Sequence, residues 1–297
     1  MSKIVECIPN FSEGRRKDVI EGFVQVSKSV AGVTLLDYSS DESHNRSVFT
    51  LVGDPDCIKA AAVLLAKYAK ENIDLTKHEG EHPRMGAVDV VPFVPIRGVS
   101  MGECIEISKE VGEKIAKEIG IPVFLYEESC TKEARRNLAA IRKGQFEGMA
   151  KKMAKPEWMP DFGEAAPHPT AGVVAVGARM PLIAFNVNLS TSNVEIAKKI
   201  SKAIRGSSGG LKYCKAMGVK LEDKNIAQVS MNLVNYEGTP MYRVLELIKT
   251  EAARYGVSIT GTELVGLAPA KALIDTAEYY LQLEEFDFEK QVLENHL

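Results

Sequence analysis

The sequence predicts an α+β protein built from two similar halves, each a split β-α-β arrangement, and three observations predict it. Strand-like and helix-like segments over residues 1–95 follow the order β-α-β-β-α-β, a comparable order returns after residue 182, and a proline-rich stretch of little helical character lies between them. A length of 297 residues also exceeds one ordinary small core and suits two domains of average size.

The elements read as follows. Lys3 to Cys7 alternates and breaks at Pro9, as a strand entering a loop does. Arg15 to Val30 carries Val19, Ile20, Phe23, Val26 and Val30 near the helical period. Val33–Asp37 and Ser47–Gly53 read as strands joined by the polar turn 39–46. Asp54-Pro55 opens a helix that runs to about Glu71, with proline at its first position. Ala87–Val94 is a β-branched strand, Ser100–Ile119 a helix, Pro122–Tyr126 a strand and Thr131–Lys143 a helix. From Ala154 to Gly172 four prolines and the only tryptophan indicate a loop, read as a connector between the halves. Then come strand Leu182–Leu189, helix Ser192–Arg205 with Ser192 as its cap, the ambiguous stretch Leu211–Val219, strand Ala227–Val234, helix Pro240–Tyr255, strand Ser258–Val265 and helix Pro269–Leu283. The halves share element order only, since no sequence identity between them is evident. The expected boundary places 1–178 in one subdomain and 179–297 in the other.

Composition removes several function classes. Hydrophobic residues at 45% and charged residues at 26% describe a globular chain rather than a disordered one. The net charge of −3 supplies no one-signed basic face for nucleic acid. Five cysteines, none in a C-x-x-C pair, argue against a disulfide framework or a thiolate metal site. The N-terminus has no apolar run of the signal-peptide kind, so the expected compartment is the cytoplasm. Thr170 to Leu189 reaches ~20 residues, the length of a membrane span. Arg179 near its middle would cost about 3 kcal/mol in the bilayer, so the stretch reads as two buried strands broken at Ala178-Arg179-Met180-Pro181 and no membrane partner is expected.

Three clusters carry candidate chemistry. His78-Glu79-Gly80-Glu81-His82-Pro83-Arg84-Met85-Gly86 formally matches the zinc pattern H-E-x-x-H. That pattern needs both histidines on one helix face, and Gly80 with Pro83 denies the segment a helix, so no metal is expected. A stiff polar loop before a strand remains, in which His82 is held firmly enough for a general base and Glu79, Glu81 or Asp89 could orient its ring. A surface loop with incidental polar residues has the same composition. The second cluster, 37–46, offers Asp37 to a cationic amidine or amine and Arg46 to a carboxylate, although an ordinary β-turn uses the same residue types. The third is the loop with Asp161, Phe162, Gly163, His168, Thr170 and Gly172, where Phe162 or Trp158 could stack on a flat ring and a plain linker is the alternative. Two weaker features are the loop 206–210, a possible anion nest without Walker spacing, and the acidic tail 284–294, read as a solvated face.

At these residues the chain resembles the formiminotransferase family. Val5-Glu6-Cys7-Ile8-Pro9-Asn10-Phe11-Ser12-Glu13-Gly14, Asn45-Arg46 and Gly80-Glu81-His82-Pro83-Arg84-Met85-Gly86-Ala87 carry the resemblance. Asp161-Phe162-Gly163, Gly177-Ala178-Arg179, Asn225-Ile226-Ala227-Gln228-Val229-Ser230-Met231-Asn232 and Leu264-Val265-Gly266-Leu267 extend it along nearly the whole chain. The chain ends where the transferase portion of the bifunctional formiminotransferase-cyclodeaminase would end, so it looks like a stand-alone transferase. The resemblance implies two ferredoxin-like (split β-α-β) subdomains with a ligand groove between them. It implies a cytoplasmic, folate-dependent one-carbon transferase of histidine degradation that moves the formimino group of N-formimino-L-glutamate to N5 of tetrahydrofolate, a co-substrate. His82 is the implied catalytic base. Asp37, Asn45, Arg46 and Arg84 are the expected substrate-binding residues. Gly163, Glu164, Ala165, Ala166, Pro167, His168, Pro169, Thr170, Ala171 and Gly172 form the expected folate loop. A homodimer is implied by family alone. Two departures stand out: Ser39 replaces a second acid that mammalian members carry two positions after the residue matching Asp37, so that its electrostatic role falls to Asp41 or to no residue, and 165–169 is a variant of its own. A glutamate formyltransferase acting with 5-formyltetrahydrofolate, or a folate-binding protein without catalysis, fits the same residues.

Overall fold

A computed structural model describes residues 3–222 and 224–296. The chain divides into two compact units, Met1–Arg179 and Met180–Leu297.

The first unit is a seven-stranded sheet with helices on both faces. Strand β1 (Ile4–Cys7) is cut from β2 (Asn10–Phe11) by Pro9, which has no N–H to give to a ladder. Helix α1 (Lys17–Ser29) follows, then the hairpin of β3 (Val33–Asp41) and β4 (Arg46–Gly53), helix α2 (Pro55–Asn72) and strand β5 (Val88–Arg97). The Asp54 side chain accepts from Asp56 N at 3.0 Å, so the expected start of α2 has its physical cause in this cap. Across the sheet β3 pairs β4, β4 pairs β1 and β2, and these pair β5, all antiparallel. Helix α3 (Met101–Lys114), opened by a Ser100–Glu103 capping box, runs into a π-helical turn, Ile115–Ile119. Strand β6 (Val123–Glu127) and the later β7 (Val174–Ala178) then join β5 in parallel. Parallel strands are covered on both faces, which is why Val173 to Ala178 reads as an unbroken apolar run. Val174 and Val176 face the core under α1–α3, and Val173 and Ala175 face a second core with Phe124, Ile141, Met149 and Met153.

Four expectations are corrected here. The turn 39–46 is shorter, because β3 continues to Asp41, with Ser39, Ser40 and Asp41 opposite Val48, Ser47 and Arg46. Thr131–Lys143 is no single helix. Residues 133–135 form a 3₁₀ turn, and Asn137 caps a separate short helix α4 (Leu138–Arg142). The interruption follows from Arg135, buried against Asp161 at 2.7 Å, which pulls the chain inward between the two pieces. Helix α5 (Gln145–Met153) was not foreseen. Finally, 154–172 connects no two units. It folds back within the first, where Asp161 accepts from Leu125 N at 2.8 Å and donates its own N–H to Val123 O at 2.8 Å, and β7 follows.

The second unit is a four-stranded sheet, β8 (Ile183–Leu189), β9 (Cys214–Leu221), β10 (Ile226–Leu233) and β11 (Ile259–Val265), in the order β11-β8-β10-β9 and antiparallel throughout. Helix α6 (Val194–Ile204) joins β8 to β9 and α7 (Met241–Ala253) joins β10 to β11. Helices α8 (Ala270–Leu281) and α9 (Phe288–Gln291) end the chain. Along β8, Ile183, Phe185, Val187 and Leu189 are buried while the residues between them are not, and Ile200 and Ile204 of α6 and Val244 and Ile248 of α7 pack on that face. Asn193 rather than Ser192 caps α6, accepting from Glu195 N at 3.0 Å. The first five strands of the first unit, with β1 and β2 taken as one broken strand, repeat this element order and this strand order.

Candidate active site

The His82 segment forms the site's centre. Residues 78–86 are not helical, so His78 and His82 do not share a helix face as a zinc site on H-E-x-x-H would need. Among the described residues, no group of three or more His, Cys, Asp or Glu is arranged to hold a metal ion. The loop is tied down at three points. Asn45, whose φ of 48° suits its residue type, accepts from Gly14 N at 2.9 Å and donates to Glu79 O at 2.9 Å. Ser43 O takes Glu81 N at 3.1 Å. Asp89 Oδ1 takes Met85 N at 2.9 Å.

Asp89, fully buried on β5, organises the charges below the loop. Its Oδ2 lies 2.9 Å from Arg46 Nη1 and 2.6 Å from Arg142 Nη2. Burial alone would raise the Asp89 pKa, but the two guanidiniums outweigh it and hold the carboxyl below its ordinary value. Two cations on one anion leave the cluster with one net positive charge. His82 sits in that field. Burial of its ring disfavours the imidazolium first, the charges of Arg46 and Arg142 add to that, and its pKa is pushed down to about 4. The imidazole is therefore neutral at pH 7 and free to accept a proton. Its Nδ1 is buried without a hydrogen-bond partner, and its ring meets that of His44 edge-on, 6.2 Å between centroids. None of Glu79, Glu81 or Asp89 bonds to that nitrogen.

The other expected residues are placed as follows. Arg46 is buried with each of its three nitrogens bonded, donating to Asn10 Oδ1 from Nε (3.2 Å) and Nη2 (3.0 Å) besides Asp89. Arg84 is also buried, its Nη atoms on both Glu147 oxygens (2.9 and 2.6 Å) and its Nε on His78 Nδ1 (3.2 Å). Asp37 is exposed on the outer strand β3, opposite Thr50, and its carboxylate makes no hydrogen bond or ion pair among the described residues. Asp41 is turned to His44, accepting from its N at 2.7 Å. In the loop 163–172, Glu164, Ala165, Ala166 and Pro169 are exposed, Pro167 and Thr170 half-buried, and Gly163 takes a φ of 91° that favours glycine. His168 Nδ1 accepts from Ala171 N at 3.0 Å, and its backbone pairs with Gly172 in both directions at 2.9 Å. The loop's end reaches the His82 segment: Gly86 and Gly172 form a bridge, Ala87 N donates to Ala171 O and Val173 N to Met85 O, each at 3.0 Å. A Cβ on Gly172 would lie 2.1 Å from Met85 O, so only glycine permits this crossing. His82, Asn45, Arg46, Arg84 and Gly172 are thus brought into one network, and Asp37 is not bonded into it. Arg142, Asn10 and Glu147 were missed by sequence reasoning, and only Asn10 lay within a quoted motif.

Residues 4–179 match the N-terminal subdomain of the formiminotransferase domain, and residues 184–295 match the formiminotransferase domain. The chain is 67% identical to a glutamate formimidoyltransferase of Streptococcus pyogenes serotype M1, over 100% of this chain and 99% of that protein. It is 48% identical to a glutamate formimidoyltransferase of Thermoplasma acidophilum, over 99% of this chain and 97% of that protein. With the formimidoyltransferase-cyclodeaminase of Gallus gallus it shares 45% identity over 96% of this chain and 54% of that protein. This chain belongs to the formiminotransferase family.

Proposed function

We propose that the chain is a glutamate formimidoyltransferase, moving the formimino group from N-formimino-L-glutamate to N5 of tetrahydrofolate in histidine degradation. The observation that carries this reading is the full-length likeness to a relative of that name, at 67% identity. The site supports it chemically. The N5 lone pair forms a bond to the amidine carbon, and the proton that N5 must lose passes to neutral His82. The tetrahedral intermediate then breaks its bond to the glutamate nitrogen, which leaves with a proton returned by His82. An imidazole already neutral at pH 7 accepts that proton without first losing one.

Asp37 is proposed to face the cationic amidine, its unpaired carboxylate being available for this. Arg46 and Arg84, each with all three nitrogens on protein partners, contribute positive potential for the donor's carboxylates, and Asn45 holds the loop that carries His82. The loop 163–172 is proposed to bind the pterin-bearing co-substrate, supported by its lacing to Met85 and Ala87 beside His82. The two subdomains are taken as 1–178 and 179–297, each ferredoxin-like, a division supported by the separate family matches and by the shared strand order. A cytoplasmic homodimer completes the reading. Five free cysteines support the compartment, and the exposed Leu273, Tyr280 and Leu281 of α8 support a surface for a second copy. Among the described residues no helix is long and apolar enough to cross a membrane.

A spectrophotometric assay with formiminoglutamate and tetrahydrofolate, run beside formylglutamate formation from 5-formyltetrahydrofolate, tests the proposal. Formimino transfer is expected to dominate. Faster turnover of the formyl pair, or tight folate binding with no transfer in either assay, would overturn it.

A further inference from the structure

We propose that Arg142 receives a carboxylate of the glutamate donor beside His82, an assignment that rests on the transfer reaction proposed above. Three arginines surround the His82 segment, and their hydrogen-bonding states differ. Arg46 gives all three of its nitrogens to Asn10 and Asp89, and Arg84 gives its three to Glu147, His78 and Gln145. Arg142 touches Asp89 through Nη2 alone. Its Nε is buried with no partner, and its side chain stays 16% exposed against 10% for each of the other two. A buried guanidinium donor left unpaired costs stability unless a ligand supplies the acceptor.

The rest of the cluster requires an anion as well. Arg46 and Arg142 share one carboxylate, so one positive charge is uncompensated where water is largely excluded. The donor brings two carboxylates, and the planar fork of an arginine matches that geometry. The residue is also held in place beforehand. It is the last residue of α4, and Lys152 Nζ closes that helix by donating to Ala140 O (2.5 Å), Ile141 O (2.6 Å) and Lys143 O (3.2 Å), with the Trp158 ring 3.9 Å from the ammonium. Little backbone freedom is then lost on binding.

A consequence follows for the base. The charged and titratable groups around His82 are Arg46 on β4, Asp89 on β5, Arg142 on α4, His44 in the β3–β4 turn, and His78, Glu79, Glu81 and Arg84 on its own loop. A donor carboxylate on Arg142 cancels one of the two charges that disfavour the imidazolium, so His82 becomes a stronger base when the donor is bound.

Three donors test this on the full chain: formiminoglutamate, formiminoglycine without the side-chain carboxylate, and 4-formiminoaminobutyrate without the α-carboxylate. Arg142→Met is expected to raise KM for formiminoglutamate about 10- to 100-fold. It should leave KM for tetrahydrofolate within about twofold and KM unchanged for whichever truncated donor lacks the carboxylate that Arg142 holds. In the wild type the acid limb of kcat should lie about 1 pH unit or more above that of kcat/KM, and the variant should bring the two limbs together. Equal losses on all three donors, or a loss expressed in KM for tetrahydrofolate, would show a structural role only and overturn the assignment. Arg142→Lys, which keeps a cation for Asp89 but lacks the fork, carries the same comparison if Arg142→Met melts early. Calorimetric titration with formiminoglutamate separates this inference from the reaction itself. Binding by the wild type and not by the variant, without turnover in either, upholds Arg142 and removes the transfer reading. No binding to the wild type overturns the inference.

Discussion

Replacing Asp89 by asparagine should destabilise the first unit severely while barely changing its shape. The carboxylate is fully buried and satisfies three donors: Arg46 Nη1 at 2.9 Å, Arg142 Nη2 at 2.6 Å and Met85 N at 2.9 Å. An amide keeps one acceptor oxygen and turns an NH₂ toward two guanidiniums, which then repel each other without a counter-charge. Breaking a buried pair from one side costs about 3–5 kcal/mol. For a domain of roughly 150–250 residues each kcal/mol moves Tm by about 2–4 °C, so a fall of about 6–20 °C is expected in the transition of that unit. The pH dependence tests the cause. Asp89 has a folded pKa below its ordinary 3.8, so its contribution is complete above that value and is lost as pH falls through the folded pKa. The gap between wild type and Asp89→Asn should therefore be constant near neutrality and narrow below about pH 4. Thermal melts by circular dichroism from pH 3 to pH 7 measure it. A gap under about 1 kcal/mol, or one that stays the same over the whole range, would refute the charge argument.

Three further predictions concern the same region. His82→Ala should lower kcat by about 10²–10⁴ while folate binding, read by fluorescence or calorimetry, persists; turnover close to the wild type removes His82 from the mechanism. Because the His82 pKa is lowered to about 4, the imidazole stays neutral above that value, and kcat/KM should lose activity only as pH falls through about 4; an inflection near 6.5 would contradict the burial of the ring and, with it, the field of Arg46 and Arg142. Gly172→Ala places a Cβ 2.1 Å from Met85 O at a φ of 67°, and should cost at least about 3 kcal/mol in a urea titration; a neutral result would show that the crossing of 86 and 172 yields readily.

Much of this protein could be read from local chemistry. Asp54-Pro55 starts a helix because the cap and the proline are both written there, and the break at 178–181 ends one strand and precedes another because Pro181 and Arg179 fit neither a ladder nor a bilayer. The segment 78–86 is non-helical, as Gly80 between the two histidines and Pro83 after His82 suggest. Local chemistry also explains the misses. Asn137 is a local sign that a helix restarts there, but the interruption before it rests on a buried pair between Arg135 and Asp161, 26 residues apart in the chain. The proline-rich loop looks like a linker by composition, and its true place depends on Asp161 bonding to β6 and Gly172 crossing Gly86.

By itself, then, the sequence determined most of the strands and helices outside 131–172, the non-helical His82 segment and the family, since propensity, caps and motifs act over a few neighbouring residues. The tertiary structure alone decided the charge state and surroundings of His82. Arg46 and Arg142 stand far along the chain from His82 and Asp89, and burial with Coulomb interaction, which acts through space, sets a pKa only after β4, β5 and α4 have brought those groups together.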